Sequence, residues 1–149
     1  MAREQHGPAR FPAPQVAVLV IGALYLVWGI VGFFFLGDPA TDLAGRDTNH
    51  GLLGLETNAL QNLVHVVIGL VALVGASNEK ALRVGGGVVL AACLVLAAAG
   101  VVGLLLPQAN VFSENLAVTV VHAVTALAAL VVVLVRVPTP EGQESAPPS

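Results

Sequence analysis

The sequence predicts an all-α integral membrane protein, with four transmembrane helices arranged as a duplicated helical hairpin and both termini cytoplasmic. Three observations lead there. Hydrophobic residues fill 56% of the 149 positions, charged residues only 10%, and the mean hydropathy is +0.87, whereas soluble domains carry roughly a quarter charged residues. The apolar residues gather into four runs, each near the ~20 residues a helix needs to cross the hydrocarbon core. The second and fourth runs also open alike, "NALQNLVHVV" from Asn58 and "NLAVTVVHAV" from Asn115, each pairing an Asn with a His two helical turns on.

Residues 1–15 read as a polar, Pro-containing cytoplasmic tail that stays disordered. The first span, about 16–36, is "VAVLVIGALYLVWGIVGFFFL". It exceeds the roughly 7–15 residues of a signal-peptide core, so it is expected to be retained. The connector 37–57 follows, with Asp38, Asp42, Asp47 and Glu56 against Arg46. Its "HGLLGLE" stretch is too short to span but apolar enough to rest on the interface or pack over the bundle. Asp42, Asp47 and His50 contain ligand chemistry for a cation, yet nothing in the spacing fixes their geometry, and a solvated loop without metal is expected. The second span is placed at about 58–76, the third at about 84–106 and the fourth at about 116–135, with a disordered cytoplasmic tail over 136–149. Runs this long in lipid must satisfy their backbone groups internally, which selects helices despite the many valines.

Charge sets the expected orientation. Arg3, Arg10, Lys80, Arg83 and Arg136 fall on one side of the four spans and Arg46 alone on the other, so the positive-inside rule puts both tails in the cytoplasm of a multi-pass cell-membrane protein. The six cations are scattered and the net charge is −3, which leaves no basic patch for nucleic acid. Cys93, the single cysteine, can neither form an internal disulfide nor complete a thiolate metal site, and reads as a small buried hydrophobe.

Aligning His65 with His122 also matches Asn58 with Asn115, Val64 with Val121 and Leu70 with Leu127. The preceding spans agree, "GIVGFFFL" from Gly29 against "GVVGLLLP" from Gly100. A duplicated two-span unit enters the membrane twice in the same sense, so its pseudo-twofold axis runs along the membrane normal.

Positions i, i+4 and i+7 share a helix face, so Asn58, Asn62 and His65 form one polar stripe and Asn115, Thr119 and His122 its counterpart. Gly69 and Ala126 continue the stripes. The plainest reading is structural: Asn58 and Asn115 cap their helices, Glu56 or Glu114 sits favourably near the positive helix ends, and each His bridges to a neighbouring helix. A sharper reading has two neutral imidazoles ligating haem iron or another metal, or donating to a quinone headgroup. A third is a small transporter, although the spans carry no ionisable group except the two histidines.

Helix packing is expected at Gly29, Gly32, Gly69, Ala99, Gly100 and Gly103, within the bundle or between protomers. "RVGGGVV" at Arg83 lacks the Lys and spacing of a phosphate loop, so Gly85, Gly86 and Gly87 read as a hinge or close-packing device. Tyr25 and Trp28 lie mid-span and are expected to face protein.

The "NLVH" motif followed by "VVIGLVAL", the loop ending in "GLLGLETNALQ", the basic "KALRVGG" turn and a second His-bearing last span together resemble a family of small four-helix actinobacterial membrane proteins, domain of unknown function 4383. That resemblance implies an architecture over about 16–135 but no activity. The expected role is therefore a non-enzymatic structural or interaction subunit without a required cofactor, working with the bilayer and with a second copy or a membrane-protein partner. A redox subunit holding haem or quinone between His65 and His122 is the alternative.

Overall fold

A computed structural model describes residues 11–36, 43–45 and 51–135. The tail segments 1–10 and 136–149, with Arg3, Arg10 and Arg136, lie outside the described residues, as do Asp38, Asp42, Arg46, Asp47 and His50 of the connector. The fold is all-α, built on four helices: α1 (Ala13–Gly32), α2 (Ala59–Gly75), α3 (Glu79–Leu105) and α4 (Leu116–Leu134).

Local chemistry accounts for the helix ends. Pro14 occupies the first turn of α1, where a missing N–H costs nothing, and after Gly32 the chain tightens into a 3-10 turn, Phe33–Phe35. Three asparagines cap the other helices: Asn58 Oδ1 accepts from the Gln61 N–H, Asn78 Oδ1 from the Ala81 N–H and Asn115 Oδ1 from the Val118 N–H, at 2.8, 2.9 and 3.0 Å. Because Asn78 caps α3, that helix starts ahead of position 84. Lys80 and Arg83, read from sequence as connector residues, sit in its first turns, with Glu79 paired to Arg83 at 3.1 Å. Likewise α1 begins at Ala13, ahead of position 16.

The connector holds an element that periodicity did not predict. β1 (Gly51–Leu52) and β2 (Leu55–Glu56) pair antiparallel around a two-residue turn in which Leu53 and Gly54 both take positive φ, 54° and 81°. This is the backbone of a primed hairpin turn. The hairpin sits over the start of α4, where Asn115 Nδ2 donates to the Gly54 carbonyl at 2.8 Å. The end of the bundle that it covers is termed the hairpin end.

α1 packs along α2 and α3 along α4; the two pairs join mainly through α2 and α3, while α1 and α4 meet only slightly. Glycines let the backbones close. A Cβ at Gly29 would lie 2.6 Å from the Asn62 carbonyl oxygen, and one at Gly69 would lie 2.5 Å from the Leu26 nitrogen. At Gly32 it would strike the Asn62 side chain, at Gly100 the Thr119 hydroxyl, and at Gly103 the Asn110 side chain 2.7 Å away. These five glycines are therefore used within one chain. Gly75 and Gly85 meet similarly across α2 and α3, whereas Gly87 faces open space.

Val18, Ile68, Ala72, Val89, Cys93 and Leu96 form the buried apolar core. The outside is just as apolar: Leu24, Val27, Val67, Val95, Leu105 and Leu127 are exposed, a surface suited to lipid rather than water. α1 with its 3-10 extension, α3 and α4 are each long and apolar enough to cross a membrane. α2 is shorter, at 17 residues, or about 25 Å at ~1.5 Å per residue.

Candidate functional site

The two polar stripes meet. His65 Nε2 and His122 Nε2 are hydrogen-bonded at 3.0 Å, with ring centroids 5.3 Å apart and planes inclined by 62°. Tyr25 of α1 packs edge-on against His65, 5.1 Å between centroids at 84°. Its hydroxyl turns away to Cys93 Sγ at 3.5 Å. Three helices thus converge on one imidazole pair.

The other stripe positions support this pair. Asn62 is fully buried and its Oδ1 accepts from the Thr57 hydroxyl at 2.6 Å. Thr119 donates to the Asn115 carbonyl at 2.9 Å. Asn58, besides capping α2, donates through Nδ2 to the carbonyls of Gly45 and Val111, at 2.9 and 2.8 Å. One side chain thereby ties the connector to the α3–α4 loop.

Sequence reasoning had placed no acidic group at the depth of the histidines, and the structure corrects this. Glu114 precedes α4 in sequence, yet its carboxylate folds inside the bundle, 2.9 Å from His122 Nδ1 through Oε1 and 3.2 Å through Oε2. Gln61 Nε2 donates to Oε1 at 3.3 Å and the Thr119 hydroxyl approaches Oε2 at 3.4 Å. Both Gln61 and Glu114 are shut off from solvent. The inward aim comes from the backbone. Ser113 takes φ 54°, and Asn110 brackets Glu114, accepting from its N–H and donating to its carbonyl, each at 2.8 Å.

A cleft of about 230 Å³ runs along the weak α1/α4 seam, reaching His65 and His122 at its floor. Its walls come from Leu24, Tyr25 and Trp28 of α1 and Val118, Val121 and Thr125 of α4, with Leu55 and Glu56 of the hairpin at one end. Leu24 and Val121 are also exposed on the outer surface, so the mouth opens sideways. Three buried polar atoms around the site have no hydrogen-bond partner among the described residues: His65 Nδ1, Gln61 Oε1 and Asn62 Nδ2. Such atoms are uncommon in native interiors, and each asks for an explanation. No group of three or more His, Cys, Asp and Glu side chains among the described residues is placed to hold a metal ion.

A model of the family described as a domain of unknown function (DUF4383) matches residues 15–135. The chain belongs to the DUF4383 family. No curated protein and no solved structure matches it. The matched DUF4383 region covers α1 from Gln15 onward, the other three helices, the hairpin and every residue of the polar cluster, so the cluster belongs to the family domain rather than to an appended segment.

Two residues of this DUF4383 cluster escaped the sequence reading, Gln61 and Glu114. Gln61 sits off the Asn–Asn–His stripe by one position, and helical spacing gave it no role. Glu114 had a usable signal in the duplication. The register that pairs His65 with His122 aligns Thr57 with Glu114 and Asn62 with Thr119, and the same contact recurs in each unit, Thr57 with Asn62 and Glu114 with Thr119.

Proposed function

We propose that this protein is a non-enzymatic, four-span protein of the cell membrane that holds a lipid-soluble molecule with a polar head in the α1/α4 cleft. The observation that carries the reading is the pairing of an apolar, laterally open cleft with a buried polar floor whose His65 Nδ1 is unsatisfied. Sites for small ligands combine apolar walls with a few convergent polar groups in this way. Helix packing accounts for the Asn caps and for the histidine pair, but not for the cleft beside them.

Between the two ligand classes considered, the geometry favours a quinone-type headgroup over haem. Two imidazoles on opposite faces of one metal, each at about 2.0–2.1 Å, stand about 4 Å apart, whereas the His65 and His122 nitrogens are in direct contact at 3.0 Å. The residues present do not fit a bis-histidine haem.

In this reading α2 is the fourth span, the hairpin end faces outward and both termini are cytoplasmic. Lys80 and Arg83 at the opposite end support that orientation, together with Arg3, Arg10 and Arg136 in the sequence. The matched roles of Asn58 and Asn115 as caps, and of Gly29 and Gly100 as contact points for Asn62 and Thr119, support a duplicated hairpin. A second copy or a membrane partner would cover lipid-facing surface rather than the glycines used inside the bundle.

Trp28, the single tryptophan, lines the cleft and reports on its contents. In lipid nanodiscs, decylhydroquinone or decylbenzoquinone should alter Trp28 fluorescence saturably, and Val121→Phe, which fills the mouth without touching the polar cluster, should raise the apparent Kd at least about tenfold, or 1.4 kcal/mol. Quenching that rises linearly and equally in both proteins would sink the proposal.

A buried Glu114–His122 pair also favours a second reading, a small proton-coupled transporter. Proton or solute flux in proteoliposomes, absent in Glu114→Gln, would support it.

A further inference from the structure

The hydrogen-bond chain from Glu114 to His65 also determines which headgroups the cleft accepts. A neutral imidazole carries one proton, so one nitrogen donates and the other accepts. Glu114 Oε1 accepts from Gln61 Nε2, and His122 Nδ1 lies against both carboxylate oxygens. A carboxylate so surrounded acts as an acceptor, which puts the His122 proton on Nδ1. His122 Nε2 is then a bare acceptor. The 3.0 Å contact between the two Nε2 atoms requires one proton between them, and it must come from His65. With its proton on Nε2, His65 is left with a lone pair on Nδ1, the atom that finds no partner among the described residues.

We infer that Glu114, acting through His122, fixes His65 Nδ1 as a hydrogen-bond acceptor, so that the cleft selects a lipid-soluble ligand bearing a hydroxyl donor, of the phenol or quinol class, over one bearing only carbonyls. This rests on the cleft reading above and reverses the simplest expectation from sequence, in which the histidines donate to a quinone. A carbonyl oxygen brought to His65 Nδ1 would set two lone pairs against each other, while a hydroxyl satisfies a buried acceptor otherwise left unpaired. Discrimination of this type can be large, because the wrong ligand leaves the site's own polar group unsatisfied. Glu114 and His122 are positioning residues in this scheme; His65 is the contact.

The tautomers can be read without any ligand. In protein labelled with 15N-histidine and reconstituted in nanodiscs, with His65→Ala and His122→Ala to assign the signals, His122 should be protonated on Nδ1 and His65 on Nε2. A proton on His65 Nδ1 in the wild-type protein overturns the inference. With ligands, decylhydroquinone kept reduced should bind at least about tenfold more tightly than decylbenzoquinone, and equal or reversed affinities overturn it. Glu114→Gln, whose amide can either donate or accept, should mix the tautomers and narrow the ligand preference to about threefold or less; an unchanged preference removes Glu114 from the scheme. Should that variant fail to fold, the wild-type spectrum and ligand pair still decide. Expected tautomers without saturable binding of either probe would overturn the cleft as a ligand site while leaving the proton arrangement intact.

Discussion

At the scale of single residues, the molecule concentrates its risk in His122. The ring is fully buried and joins Glu114 on one side to His65 on the other. His122→Ala removes a partner from both at once and leaves a buried carboxyl group short of its nearest donor. Leaving buried hydrogen-bonding groups without their partner costs about 1–3 kcal/mol, so thermal unfolding in detergent should fall, and further than for His65→Ala, which leaves the contact with Glu114 in place. Equal losses would show that the carboxylate contact contributes little. The stripe residues themselves were legible in the sequence, because Asn, Thr and His at helical spacing inside an apolar run have few places to go but inward. Glu114 was not legible in the same way. Its sequence neighbours are polar loop residues, and what turns it inward is a positive φ at Ser113 and the bracket formed by Asn110, neither of which has a strong signature in a single sequence.

At the scale of elements, the four helices could be read from apolar length and the starts of α2 and α4 from their Asn caps, whereas the start of α3 at Asn78 and the hairpin over 51–56 could not. Its turn uses Leu53 at positive φ, where Asn or Gly would have announced it. Spacing alone did not tell whether the glycines serve this chain or a second copy; the backbone approach at Gly29 answers that. Gly29→Val should force α1 away from α2 at the level of Asn62 and cost about 1–3 kcal/mol of stability, as overpacking does. Gly87→Val, on the same scale of side-chain growth but facing open space, should leave the melting temperature nearly unchanged. Matching losses at the two positions would contradict the close α1/α2 contact.

At the scale of the whole molecule, the arrangement of charge argues for one orientation in the bilayer. Cys93 is fully buried and supplies a quiet background for labelling. Val111→Cys, at the hairpin end, should react with a membrane-impermeant maleimide on intact cells, and Ser77→Cys, between α2 and α3, only after permeabilisation; both positions are exposed. The opposite pattern would invert the molecule and place the cleft in the cytoplasmic leaflet. The overall class was the most legible feature of all, since composition alone demanded lipid and the lengths of the runs allowed four crossings. What composition could not convey was the unequal packing of the two hairpins, tight between α2 and α3 and slight between α1 and α4.

That slack seam has a consequence for how the site would be supplied. In the proposed reading, with Leu24 and Val121 at its lip, the entrance would face the acyl chains, and a guest would arrive by diffusing in the plane of the leaflet rather than through water. Its filling is then governed by mole fraction among the surrounding lipids. Two membranes bathed in the same solution but differing in what is dissolved within them would present this protein with different loads.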